Sequence, residues 1–163
     1  MSTYRRRVRV AASLDDVWEF HSQISGLEAL TPGFMNLRVE RVVGPDGEPD
    51  PASLVAGTDI EMSARPFGVG PRQTWTSRIE DREVELDDGR ASFVDTMEGG
   101  PFPMWRHTHR FYERGDSTVV DDEVRYELPG GALGRAASPL GWVGFEPMFR
   151  YRHRTTRELL EQQ

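Results

Sequence analysis

The spacing of apolar residues changes from a strand period to a helical period near the start of the chain. Tyr4, Val8 and Val10 share one parity among charged neighbours, which predicts a strand over residues 3–11 with one buried face. Ser13 is a favourable N-cap for a helix whose inner stripe is Leu14, Val17, Trp18, His21 and Ile24. Gly26 is expected to end this helix, and a short helical turn should follow over residues 27–30.

Most of the remaining chain has the two-residue period of β-strands. Alternation predicts further strands over residues 36–43, 57–65, 72–81, 91–98, 104–113 and 118–128, with a surface loop over residues 44–56. From Ala132 a helical period returns and continues to Leu160, with Ser138 as a cap and Pro139 at the first helical position. Pro147 should kink this helix, because it lacks a backbone N–H.

This order of elements, together with the strand-to-helix segment Val10-Ala11-Ala12-Ser13-Leu14-Asp15-Asp16-Val17-Trp18, resembles the START-related, or SRPBCC, superfamily. That superfamily includes birch-pollen-allergen-like proteins, lipid-transfer domains and polyketide cyclases or dehydratases. The resemblance covers residues 1–163 as one domain. It implies an α+β helix-grip fold, in which a curved antiparallel sheet wraps a long C-terminal helix and encloses a cavity, with two short helices after the first strand.

Composition narrows the classes of partner. The formal net charge is −7, which disfavours nucleic acid, and no apolar run is long enough to predict a membrane span or a signal peptide. We therefore expect a cytoplasmic protein, and the sequence leaves its oligomeric state open. The absence of cysteine excludes thiol chemistry. All 20 basic residues are arginine, which is consistent either with a salt-adapted, halophile-like surface or with a GC-rich genome.

Alternate loops of an antiparallel meander lie at the same end of the sheet. One end receives residues 66–71, 99–103 and 129–134, which are rich in glycine and proline and include Phe67 and Phe102. Such residues also make ordinary turns, but phenylalanines on converging loops favour a cavity mouth at this end.

A two-residue turn at Gly115-Asp116 predicts the register of the last hairpin. It pairs His109 with Asp122 and places one set of side chains inside, namely Trp105, His107, His109, Phe111, Val120, Asp122, Val124 and Tyr126. The opposite face, with Arg106, Thr108, Arg110, Asp121, Glu123 and Arg125, is expected to face solvent. By the same alternation, one set of side chains on the three preceding strands is expected to point inward, namely Ile60, Met62, Ala64, Trp75, Ser77, Ile79, Phe93, Asp95 and Met97.

The predicted ligand-binding residues are drawn from these inward faces, from the mouth loops and from the terminal helix. They are Met62, Phe67, Trp75, Phe93, Asp95, Met97, Phe102, Trp105, His107, Phe111, Tyr126, Leu140, Val143 and Met148. Leu140, Val143, Met148 and Tyr151 are expected to close the interior from the helix. Filled cores use the same residue types, so the pattern alone leaves open how many would touch a ligand.

His109 and Asp122 are the candidate catalytic pair. An inward carboxylate requires a partner, and His109 is predicted directly across the hairpin. The pair is either a structural ion pair or a general acid–base device acting on a bound carbonyl compound. The spacing of the histidines matches no dedicated zinc motif, and we predict neither a metal nor a cofactor.

Three functions remain open. The first is non-enzymatic binding or carriage of an apolar, lipid-like or polyketide-like small molecule. The second is a cyclase or dehydratase that uses His109 and Asp122. The third is a regulatory module that binds a protein partner.

Overall fold

The fold is described from a computed structural model over residues 1–162. The elements, in chain order, are β1 (Ser2–Val10), α1 (Leu14–His21), α2 (Ile24–Ala29), β2 (Arg38–Val43), β3 (Asp59–Ala64), β4 (Gln73–Glu85), β5 (Arg90–Glu98), β6 (Met104–Arg114), β7 (Ser117–Glu127), α3 (Gly131–Ala137) and α4 (Trp142–Leu160). This order confirms the predicted one.

The seven strands form one antiparallel sheet in the order β1-β7-β6-β5-β4-β3-β2. Strands β2 to β7 follow one another as a meander, and β1 pairs with β7 at the other edge. The helical region from Gly131 to Leu160 follows the last strand, and α4 packs against β1. This is the helix-grip fold that the resemblance implied.

The predicted register of the last hairpin is confirmed residue by residue. Arg114 pairs with Ser117, and His109 pairs with Asp122. On the outer face one expectation is wrong, because Asp121 is fully buried rather than solvated. The guanidinium groups of Arg5, Arg7 and Arg110 lie over its carboxylate and remove it from water.

Two helix boundaries differ from the predicted ones. Gly26 lies inside α2 and does not end α1, which finishes at His21. A Cβ at Gly26 would stand 2.1 Å from the carbonyl oxygen of Phe20, so glycine here permits close packing of the two short helices. Ser138 does not cap a helix N-terminus; it follows α3 as its C-cap, and its hydroxyl donates to the carbonyl of Gly134 and accepts from the N–H of Leu128.

The hydrophobic core is divided into clusters around an internal space. One cluster closes an end of the sheet with α1 and includes Val10, Val17, Trp18, Phe111 and Leu160. A second joins α4 to β1 and β7 through Tyr4, Val124, Tyr126, Phe145 and Phe149. A third lies on the β2–β4 half of the sheet, at Val42, Leu54, Ile60, Met62 and Ile79. The space between these clusters is the candidate site.

Candidate functional site: an internal cavity with a buried histidine cluster

A cavity of about 370 Å³ lies between the concave face of the sheet and the helices. The strands β3 to β6 supply most of one wall, and the rest comes from the helices α1, α2 and α4, the mouth loops and the segments on either side of β2. Ten of the predicted ligand-binding or catalytic residues line it: Met62, Trp75, Phe93, Asp95, Met97, Phe102, Trp105, His107, His109 and Met148. They meet there because alternate residues of neighbouring strands share one face.

Five of the predicted ligand-binding residues lie elsewhere. Phe67 is 74% exposed and stacks on Phe34, because its positive φ of 55° turns it away from the cavity. Leu140 and Val143 are 65% and 59% exposed, so the expectation that they close the interior is wrong. Phe111 and Tyr126 point inward but are sealed within the core clusters.

Several lining residues are absent from the predicted set. The additional apolar residues come from α2, the segment after it, the loop between β2 and β3, and β3, and they include Leu27, Leu30, Met35, Leu37, Leu54 and Ile60. The additional polar residues include His21 from α1 and Arg152 from α4. For His21 the signal was present, since it belongs to the predicted inner stripe. For Arg152 no local pattern distinguishes an inward arginine from its solvated neighbours.

A cluster of ionisable side chains forms one end of the cavity wall. Nε2 of His109 lies 3.0 Å from Oδ2 of Asp95, and Nε2 of His107 lies 2.8 Å from Oδ1 of Asp122. Nδ1 of His109 stands 2.9 Å from the same Asp122 oxygen, within ion-pair distance but off the line of a hydrogen bond. His109 therefore lies between the two carboxylates. The sequence predicted its contact with Asp122 but not its hydrogen bond with Asp95.

His153 completes the cluster from the opposite side. Its Nε2 lies 2.5 Å from Oδ2 of Asp122, so both oxygens of this carboxylate contact imidazoles. The sequence analysis missed this residue, although a signal exists. Phe145, Phe149, His153 and Leu160 are the buried residues of α4 together with Thr156, and their spacing places His153 on an apolar helical stripe.

Burial and hydrogen bonding set the protonation of the cluster. Burial would raise the pKa of Asp122, but its contacts with His107, His109 and His153 outweigh that effect and hold the pKa well below its usual value. Burial also opposes a charged His109, yet the two carboxylates beside it raise its pKa. The pKa of His107 is lowered, chiefly by burial and then by the positive charge on His109. These opposite directions favour a protonated His109 over a protonated His107.

His21 has a different environment on the same cavity. Its Nδ1 lies 2.7 Å from the carbonyl oxygen of Val17, to which it donates a hydrogen bond. Burial lowers its pKa to about 3, so His21 stays neutral at physiological pH. All four histidines of the chain are thus buried at the cavity or in the cluster behind it.

Asp95, His107 and His109 have donor atoms that could hold a metal ion, since these atoms lie within 4.8 Å of one another. The two nearest donor atoms, His109 Nε2 and Asp95 Oδ2, are already joined by a hydrogen bond. A metal ion would have to displace the proton between them. The residues therefore suit proton storage directly and metal binding only after deprotonation.

A helix-grip fold that encloses an apolar cavity with a polar end defines a class of small-molecule-binding domains. Residues 10–148 match the family described as polyketide cyclase / dehydrase and lipid transport, and the chain belongs to this family. No curated protein sequence matches the chain significantly.

Solved structures show the same fold. Norcoclaurine synthase from Thalictrum flavum, in complex with dopamine and hydroxybenzaldehyde, is 21% identical with a TM-score of 0.64, over 99% of this chain and 88% of that one. A START superfamily protein from Mycobacterium smegmatis is 13% identical with a TM-score of 0.63, over 98% of this chain and 97% of that one. At these identities the similarity establishes the fold.

Within residues 1–162 no helix has the apolar length needed to span a membrane.

Proposed function

We propose that this protein binds a small molecule with an apolar body inside the cavity. The observation that carries the proposal is the cavity itself, whose volume of about 370 Å³ falls within the usual range of ligand pockets. Its wall is mainly apolar and aromatic, with a few polar groups gathered at one end. Such a wall favours an apolar body, and the polar groups favour one orientation.

The size of the cavity is sufficient for useful affinity. Burial of about 300 Å² of apolar ligand surface at about 25 cal/mol per Å² contributes roughly 7 kcal/mol before the costs of association. Micromolar binding is consistent with that magnitude. The family description, which includes lipid transport, and the complex of norcoclaurine synthase with two small aromatic molecules both support a cavity ligand.

The binding proposal is tested with a neutral environment-sensitive dye such as Nile red. We expect the wild-type protein to bind about one dye molecule and Met97→Asp to abolish binding, because Met97 lines the cavity and a carboxylate there loses its hydration. The matched control is Ser92→Asp on the outward face of the same strand, opposite Arg110. Absence of dye binding by the wild type, or full binding by a folded Met97→Asp variant, would overturn the proposal.

A second function, general acid–base catalysis, is favoured by the position of His109. Its imidazole lines the cavity, and the neighbouring carboxylates of Asp95 and Asp122 favour its protonated form. A ligand carbonyl placed beside the ring would receive this proton, and the two carboxylates would stabilise the positive ring before transfer. This arrangement supports a cyclisation or dehydration step of the kind named in the family description.

Binding and catalysis make different predictions for His109→Gln. The small molecule that co-purifies with the wild type would be identified by mass spectrometry and incubated with both proteins. Catalysis predicts that the variant converts it about 10² to 10⁴ times more slowly while its affinity is retained. Carriage alone predicts that the molecule is recovered unchanged from both proteins.

A further inference from the structure

Arg152 is the only arginine among the residues that line the cavity, counted over the described part of the chain. It extends from α4, one helical turn after Met148, which lines the same space. The other charged or titratable side chains on this wall are His21, Asp95, His107 and His109. Arg152 therefore gives the polar end of the cavity its only permanent positive charge.

The guanidinium of Arg152 has no hydrogen-bond or ion-pair partner within residues 1–162. The two nearby carboxylates form hydrogen bonds with histidines instead: Asp95 with His109, and Asp122 with His107 and His153. The guanidinium carbon lies 5.9 Å from the centroid of the Phe149 ring, and Asp122 and Asp95 act on the guanidinium only through longer-range electrostatic attraction. The five N–H donors of Arg152 thus stand at the cavity wall without a direct protein acceptor, and a bound ligand or water can accept hydrogen bonds from them.

Resting on the proposed binding function, we propose that the ligand is an amphiphile with a carboxylate group, which Arg152 binds while the apolar body lies against Met62, Trp75 and Phe93. The planar guanidinium fork matches the two oxygens of a carboxylate. A monoanion fits this end better than a phosphate dianion, because Asp95 and Asp122 repel each added negative charge.

The test compares decanoate with 1-decanol, two probes that share an apolar chain length but differ in charge. Each displaces Nile red from the wild type, from Arg152→Gln and from Arg150→Gln. Arg150 is the control because it lies on the same helix, is exposed and pairs with Glu146 rather than facing the cavity. Circular dichroism and thermal melting establish that each variant is folded.

We expect the wild type and Arg150→Gln to bind decanoate at least tenfold more tightly than 1-decanol. Arg152→Gln should lose this preference and keep its affinity for 1-decanol. Equal affinities for the two probes in the wild type would overturn the inference, and so would a preference that survives in Arg152→Gln. That second result would mean that the positive charge of Arg152 serves only to offset the negative charges of Asp95 and Asp122.

The wild-type comparison does not depend on the variant, so a poorly folded Arg152→Gln leaves the inference testable. Failure of both probes and of Nile red to bind would overturn the proposed function itself. Binding of the dye and of 1-decanol without a preference for decanoate would overturn only the carboxylate inference.

Discussion

His153 on α4 and Asp122 on β7 are 31 residues apart in the sequence, yet their side chains meet with Nε2 of the histidine 2.5 Å from Oδ2 of the aspartate. This contact joins α4 to β7, the strand that contributes Asp122 to the buried histidine cluster. Asp122 is 2% exposed and also contacts His107 and His109. One carboxylate thereby positions three imidazoles from two secondary-structure elements.

Asp122→Asn is expected to lower the free energy of unfolding by about 3 kcal/mol. The substitution removes the negative charge that three buried imidazoles face, and a buried partner left uncompensated is strongly destabilising. Chemical denaturation at pH 7 measures the effect. The control is Asp116→Asn in the exposed hairpin turn, which should change the free energy by less than about 0.5 kcal/mol. Equal stability of the two variants would show that the cluster contributes little to folding.

His21 should make the protein less stable as the pH falls from about 6 towards 4. Its pKa is about 3 in the folded state and near 6.5 when unfolded, so the unfolded chain binds more protons over this interval. The free energy of unfolding then falls by about 1.4 kcal/mol for each unit by which the pH is lowered, as a result of this group alone. His21→Gln should show a shallower decline in denaturation experiments at pH 6, 5 and 4. In nuclear magnetic resonance, a His21 midpoint close to 6.5 would contradict the prediction.

Asp121→Asn tests the buried carboxylate on the outer face of the sheet. Arg5 and Arg7 contact this carboxylate, and burial alone would raise its pKa, but the arginines lower it. The stability from this group is therefore present above about pH 4 and lost as the pH falls through its lower folded pKa. We expect a loss of about 1–2 kcal/mol at pH 7, discounted because both arginines are about half exposed. The difference between the variant and the wild type should narrow as the pH is lowered below about 4, and a difference that stays constant would exclude the ionic contribution.

Salt should stabilise this protein if its lysine-free acidic composition reflects adaptation to high ionic strength. The formal net charge of −7 produces repulsion that molar potassium chloride screens, whereas exposed ion pairs lose little because each contributes little. We expect the thermal midpoint to rise between 0.1 M and 2 M potassium chloride. A neutral protein of similar size, measured in parallel, corrects for general salt effects. A level or falling midpoint would leave genome composition as the reason for the arginines.

Local periodicity was enough to place much of the candidate site on one face. The two-residue turn at Gly115-Asp116 determines the pairing of β6 with β7, and strand parity then puts His107, His109 and Asp122 inside with Asp95 beside them. These relationships are predictable because side chains alternate with a period of two and one slipped residue would bury charges.

Where the sequence analysis was wrong, the local conformation or close packing departed from the regular pattern. Phe67 points outward because its backbone has a positive φ, which no periodicity indicates for a phenylalanine. Gly26 does not end α1 but lies inside α2, where the missing side chain lets the helix pack closely against the carbonyl of Phe20. Asp121 is buried by arginines of β1, an element more than 100 residues away in the sequence.

The sequence by itself therefore determined the order of elements, the hairpin register and the inward face of the strands, since each depends on neighbours in the chain or across one turn. Only the tertiary structure decided that a cavity remains between the core clusters, that His153 contacts Asp122, and that Arg152 reaches the cavity. Those outcomes depend on how α4 rotates and packs against the sheet. That packing is set by the summed contacts of distant residues, and no local spacing encodes it.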